Sequence, residues 1–168
     1  MKPLTLIPRP PFDFSLSAAI FSRGDPAIRM FRDGVFRQAL DTGRIPVLAE
    51  VISSGTPEYP RLELTLRSSG RLQKSDRERA GNLVASLFSI SDDMEPFYLA
   101  VAKDPVLADL TVRLRGTHVP VTATVFEALT DSIIEQQISL NAAISIENRL
   151  IRATGKELML DGTVYHCY

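Results

Sequence analysis

Few side chains here could act as nucleophile, proton carrier or metal ligand, and their positions limit what they can do together. The chain of 168 residues has one cysteine, Cys167, and two histidines, His118 and His166. They allow no internal disulfide and no conventional structural zinc site, so neither metal nor cofactor is expected. His166 and Cys167 are adjacent, but neighbours in an extended chain point to opposite faces, which argues against a dyad. His118 falls in a Gly-Thr-His-Val-Pro stretch and reads as a solvated loop residue. Arg71, Lys74, Arg77 and Arg79 form a local basic cluster, either a solvated face or a set of phosphate contacts. The most informative feature is a polar interruption. Phe126, Leu129 and Ile133 follow helical spacing, and the next positions in phase are Gln136 and Gln137. Ser139 can then cap a new helix. The segment Gln136-Gln137-Ile138-Ser139 is therefore expected to be a corner between two helices that presents hydrogen-bonding side chains.

The elements that must position this corner are legible from periodicity. Leu4 to Ile7 is a short strand ended by Pro8, Pro10 and Pro11, which suits an edge. Asp13 and Ser15 can cap a short helical turn reaching Phe21 and ending near Gly24. Ile28 to Phe31 and Val35 to Leu40 flank Asp33-Gly34, the dipeptide that suits a type I′ hairpin turn. Val47 to Ile52 is a further strand. Arg61 to Arg67 alternates strictly, with Leu62, Leu64 and Leu66 on one face, as in a half-buried antiparallel strand. From Ser75 the period becomes helical. Ser75 and Glu78 have capping-box spacing, with Leu83, Val84, Leu87 and Phe88 as the buried stripe. Further helix starts lie at Ser91 to Glu95, at Asp104-Pro105 and at Thr124 to Glu127, the last with the spacing of a second capping box. Gly116 to Pro120 is the best linker candidate. The last helix runs from Leu140 to Ala153, with Ala143, Ile146 and Leu150 inward and Gly155 as its stop. Phe126, Leu129 and Ile133 are expected in the core, so Ile133→Ala should leave a cavity.

Composition excludes several classes. Hydrophobic residues make up 45% and charged residues 23% of the chain, the balance of an ordinary globular protein. The apolar runs are far shorter than the roughly 20 residues of a membrane span. Prolines break the N-terminus before a secretory core can form, so an intracellular, cytoplasmic location is expected. Net charge is −1 overall, with +2 over residues 1–117 and −3 over 118–168. Neither value names a partner.

Asp131-Ser132-Ile133-Ile134-Glu135-Gln136-Gln137-Ile138-Ser139, continuing through Ala142-Ala143 to Arg149-Leu150 and Gly155-Lys156-Glu157-Leu158, resembles the entry helices of the helix-hairpin-helix DNA glycosylases. The likeness is closer to the DNA-3-methyladenine glycosylase II branch. Pro10 to Ser15, the Asp33-Gly34 hairpin ending at Arg37-Gln38-Ala39-Leu40, and Leu62-Leu64-Leu66 resemble that branch's N-terminal domain. The implied fold is α+β: an N-terminal antiparallel sheet with packed helices, TATA-binding-protein-like, over residues 1–90. The first helices of an all-α glycosylase domain would follow over residues 91–168. In this family the helix-hairpin-helix and the aspartate held responsible for catalysis lie C-terminal to the segment resembling Tyr165-His166-Cys167-Tyr168. Asp161 is upstream of that position and is not assigned the role, so no catalytic residue is expected in this chain.

The resemblance implies an N-terminal portion of a base-excision glycosylase acting on alkylated bases, inactive by itself, whose partner is double-stranded DNA containing a damaged base. Extracting a base costs a few kcal/mol of stacking and pairing, and something must fill the gap. By resemblance Gln137 is the wedge, with Gln136 and Ser139 beside it and Ile138 anchoring the turn. Ile20 falls where a relative places an aromatic of the base pocket. The alternatives are a non-catalytic module binding DNA or a repair protein, or part of an oxidised-guanine glycosylase.

Overall fold

The computed structural model describes residues 2–168. Strand β1 (Leu4–Leu6) precedes a short helix α1 (Phe14–Ala18), which runs into a 3₁₀ turn (Ala19–Arg23). Strands β2 (Arg29–Arg32), β3 (Val35–Asp41), β4 (Pro46–Ser53) and β5 (Leu62–Arg67) follow. Then come helices α2 (Lys74–Leu87), α3 (Glu95–Val101), α4 (Pro105–Arg113), α5 (Val125–Ile134) and α6 (Leu140–Thr154), and a hairpin of β6 (Lys156–Leu160) and β7 (Thr163–Cys167).

The first five strands make one antiparallel sheet in the order β1-β5-β4-β3-β2. β1 lies at one edge, where the prolines after it interrupt no ladder. Between β2 and β3, Asp33 and Gly34 have φ of +52° and +75°, the two left-handed residues a type I′ turn requires. On β5 the three leucines are buried, while Glu63 and Thr65 between them are half-buried.

One face of the sheet carries Phe36, Leu40, Val47, Ala49 and Val51 with the β5 leucines, packed under Val84, Leu87 and Phe88. The Phe88 ring centre lies 4.9 Å from that of Phe36 and 5.4 Å from that of Phe14. Each such side chain contributes about 1.5–3 kcal/mol by leaving water. The opposite face is covered as well. Ala39 and Leu48 are buried there, with β7 packed on β3 and β6 on β4. Leu158 and Cys167 of the hairpin are buried. Lys156 Nζ sits 2.6 Å from Asp41, and Asp161 pairs with Arg67. Double coverage explains why Gln38-Ala39-Leu40 and Val47-Leu48-Ala49 are buried without a break.

Several expectations need correction. α2 starts two residues earlier than the Ser75–Glu78 spacing implies: Gln73 is the cap and its N–H donates to Asp76 Oδ2 at 2.7 Å. Asp76 wins because Arg44 and Thr42 also donate to its buried carboxylate. His118 is not solvated but 1% exposed. Its ring nitrogens lie 2.8 Å from the Ser89 carbonyl and 3.2 Å from that of Pro11, and Phe12 meets it edge-on. Nor is 116–120 a free linker. Asp13 N–H donates to the Gly116 carbonyl at 2.7 Å. Gly116 has φ +83°, and a Cβ there would meet Asp13 N at 2.7 Å, so only glycine fits.

The largest correction concerns α5. Phe126, Leu129 and Ile133 are 64%, 60% and 70% exposed, so the expected core stripe faces outward. The helix turns Glu127 inward instead. On α6, Ala143 is buried as expected, Leu150 is half-buried, and Ile146 is exposed; Ile151 takes the inner position. α3 and α4 bury no residue at all. The 91–168 segment, read from sequence as helical, also contains the β6–β7 hairpin, which returns to the sheet.

Candidate nucleic-acid interface and the cleft behind it

The α5–α6 corner forms where the sequence places it. Glu135 N–H donates to the Asp131 carbonyl at 2.8 Å and ends α5. Gln137 takes φ +58°, a left-handed conformation that side chains other than glycine and asparagine visit at some cost. Ser139 then caps α6, its Oγ accepting from Ala142 N–H at 3.3 Å. Gln136, Gln137 and Ser139 are all exposed. Ile138, expected as the apolar anchor, is 41% exposed and only partly covered. The corner is held by main-chain and cap bonds, which leaves its amide side chains free.

Behind the corner lies a cleft of about 190 Å³ whose walls include Ile20, Phe21, Leu140 and Ile144 together with Arg29 and Glu147. Ile20 is 72% exposed on the 3₁₀ turn, so it is a wall residue and not a core residue. Asp131 and Glu135 also reach this cleft.

Arg29 is the electrostatic centre. From β2 its guanidinium donates to Glu127 of α5 at 2.7 Å and to Glu147 of α6 at 3.3 Å. It also lies 5.0 Å from the centre of the Phe21 ring. Asp131 completes a group of three carboxylates within 4.8 Å of one another. Burial, then the negative charge of Glu127, pushes the Asp131 carboxyl up to about 6, against the pull of Arg29. Burial first, with Asp131 and Glu127 adding to it, likewise raises Glu147 to about 7. One cation thus stands among three acids, two of which are held above the ordinary carboxylate range.

The sequence did not single out this cluster. Glu127 was read only as the partner of Thr124 in a capping box. Thr124 does cap the helix, its Oγ1 accepting from Glu127 N–H at 3.1 Å, but the reciprocal bond is displaced by one residue: Glu127 Oε2 accepts from Ala123 N–H at 2.9 Å, not from the N–H of Thr124. The other Glu127 oxygen binds Arg29. An available signal was the spacing of Glu127, Asp131 and Glu135, which aligns three like charges on one helix face and calls for a cation opposite.

The remaining chemical candidates stay outside the site. Asp161 is exposed and paired with Arg67. His166 N–H donates to the Ala27 carbonyl, and burial pushes the Cys167 thiol up to about 12, which leaves it un-ionised at neutral pH. In the basic cluster, Arg77 donates to the Lys2 carbonyl and Lys74 pairs with Glu78.

No family model matches the sequence. Over 100 residues the chain is 28% identical to the DNA-3-methyladenine glycosylase of Bacillus subtilis (strain 168), a stretch covering 60% of this chain and 33% of that protein. The 3-methyladenine DNA-glycosylase from Archaeoglobus fulgidus superposes with a TM-score of 0.80 at 17% identity, over 98% of this chain and 55% of that one. The Clostridium acetobutylicum 8-oxoguanine glycosylase/lyase, in complex with double-stranded DNA containing cytosine opposite 8-oxoG, superposes with a TM-score of 0.68 at 15% identity, over 99% and 51%. The chain spans about a third of the curated relative and about half of each solved structure. It is similar in sequence to a DNA-3-methyladenine glycosylase, and it has the fold of the matching half of DNA glycosylases.

Proposed function

We propose that this chain is the N-terminal portion of a DNA base-excision glycosylase that hydrolyses the N-glycosidic bond of alkylated bases. Residues 1–90 supply its sheet domain and residues 91–168 the first part of its helical domain. The observation that carries the reading is the exposed, left-handed Gln137 corner, whose flanking residues Glu135 and Leu140 line the Ile20 cleft, within a chain similar in sequence to a 3-methyladenine glycosylase. Gln137 fills the gap left by the extracted base and can hydrogen-bond the orphaned partner, with Gln136 and Ser139 beside it. Ile20 forms one wall of the base pocket. The cleft is apolar and acidic, which suits an electron-poor base and repels phosphate. The outward apolar side of α5, with α3 and α4, supports the portion reading, because these helices offer a face for further helical structure to cover. The partner is double-stranded DNA containing a damaged base. No helix among the described residues is long and apolar enough to cross a membrane; we place the protein in the cytoplasm with other repair enzymes.

The 8-oxoguanine glycosylase neighbour favours a second reading, excision of oxidised guanine, at the lower TM-score of 0.68. The two separate in one assay. The reading frame is followed beyond the Tyr168 codon, and the product is incubated with duplexes carrying 3-methyladenine or 8-oxoguanine. Release of the methylated base is expected. Release of 8-oxoguanine alone favours the second reading, and a stop codon after Tyr168 rejects glycosylase activity for this product. The 168-residue chain by itself is expected to release no base in a single-turnover assay.

A further inference from the structure

We propose that Arg29 and the carboxylates of Glu127, Asp131 and Glu147 form a proton-linked clasp that fastens α5 and α6, and the corner between them, to the sheet. The inference rests on this cluster's geometry and is independent of the glycosylase reading.

Three elements meet at one guanidinium. Arg29 comes from β2, Glu127 and Asp131 from α5, and Glu147 from α6. The side chains of Arg29, Glu127 and Glu147 are 17%, 4% and 16% exposed, so these are contacts largely removed from solvent. The Glu127 contact replaces the apolar packing that α5 would otherwise use, since its apolar side faces away. The attachment of this helix to the sheet is thus polar at its centre.

Charge count then makes the attachment depend on protons. With every acid ionised, one cation faces Glu127, Asp131 and Glu147, with Glu135 nearby on α5. The Tyr168 hydroxyl, 3.5 Å from Asp131 Oδ1, is the neutral donor on this side. At the outer end of α6, Arg152 is occupied by Asp25 at 2.5 Å and cannot serve as a second cation. Like charges held this close cannot all ionise without mutual repulsion. Burial first, and then this like charge, raises the carboxyls of Asp131 and Glu147 to about 6 and about 7. Their folded-state values exceed their unfolded ones, so their stabilising contribution is full below the unfolded range and is lost as pH rises through about 6 to about 7. The clasp therefore closes in mild acid and loosens above neutrality. The cleft beside it gives water and protons access to Glu147 and Asp131.

The test needs no DNA, so its failure and that of the glycosylase reading are distinguishable. Amide hydrogen-exchange protection, corrected for intrinsic exchange, is measured between about pH 5.5 and about pH 8. In the native chain, protection across α5 and α6 is expected to fall about tenfold or more over this range, the equivalent of at least one unit of pKa shift. α2 should hold. The isosteric pair Asp131→Asn with Glu147→Gln should remove the fall and raise protection at the alkaline end. Carboxyl carbon titrations by NMR provide the second readout: both groups should titrate above the ordinary carboxylate range in native protein, and Glu147 should move higher in Arg29→Gln. Equal protection at both ends of the range in the native chain, or two carboxyls titrating at ordinary values, would overturn the clasp.

Discussion

On β3, β5 and α2 the long apolar side chains that face the sheet core are covered, whereas between α3 and α6 comparable ones are left in water. Phe36, Leu64, Val84 and Phe88 are fully buried, yet Leu99, Val112, Leu129 and Ile133 are largely exposed. The arginine–carboxylate sites of the two regions differ in the same sense. Arg44 meets a single buried carboxylate, Asp76, which also accepts from Thr42 and the Gln73 N–H. Arg29 meets three. The sheet region is satisfied internally in both apolar area and charge. The helical region is attached by a polar centre and has its apolar surface still to use, so the two regions should respond differently to mutation and to pH.

Phe88→Ala should have the largest effect. It removes the ring on which Phe14, Phe21 and Phe36 converge, at a cost of about 3–5 kcal/mol measured by denaturant unfolding. A loss under about 1 kcal/mol would remove the contrast with the helices. Next is Gln137→Ala, which should weaken binding of the extended protein to a duplex with a trapped, flipped nucleotide by about 1–3 kcal/mol. Stability should change by no more than about 0.5 kcal/mol, as for other exposed sites. If unfolding shifts and binding does not, the corner is structural.

Acid should act on the two arginine sites with opposite signs. The Arg44 hydrogen bond holds Asp76 below the usual carboxylate range, against the effect of burial. Its stabilising contribution is present above the unfolded value and lost as pH falls through the folded one. Unfolding followed down the acid limb should show this loss, and Asp76→Asn should abolish it while lowering stability at neutral pH. The smallest effect is expected for Ile133→Ala, within about 0.5 kcal/mol. A cost of about 2–5 kcal/mol would mean that Ile133 is covered in solution after all.

That last value reverses what the sequence suggested, and the reason is general. Periodicity identifies which residues share a helix face but not which way the face points. Phe126, Leu129 and Ile133 do lie together; only their direction was misread, because the inward face is chosen by Arg29, which is 98 residues from Glu127. Strand alternation carried more information. Leu62, Leu64 and Leu66 faced the core as read, since a sheet covered by α2 fixes the direction. Asp33-Gly34 was legible as a turn, whereas the same dipeptide at Asp161-Gly162 was not read, although it has φ of +49° and +79°. Its flanks explain this: Leu158, Met159 and Leu160 are consecutive and do not alternate. The Gln136–Ser139 corner was legible because a polar pair broke an apolar phase. His118 was not, because its partners are carbonyls of Pro11 and Ser89, which no sequence pattern marks.

The β6–β7 hairpin changes how the helices can move. α3 to α6 leave the sheet after α2 and return to it at Lys156, so both ends of the excursion are anchored. Were the far end loose, opening these helices would release a tail with the full conformational freedom of an unfolded segment. Pinned at both ends and again in the middle by Gly116 and His118, they open only as two closed loops, α3–α4 and α5–α6, whose entropy gain on release is smaller by the closure cost already met. Each helix pair should thus behave as a cooperative unit of lower local stability than the sheet that frames it, opening and reclosing without disturbing His118, Leu158 or Ala39.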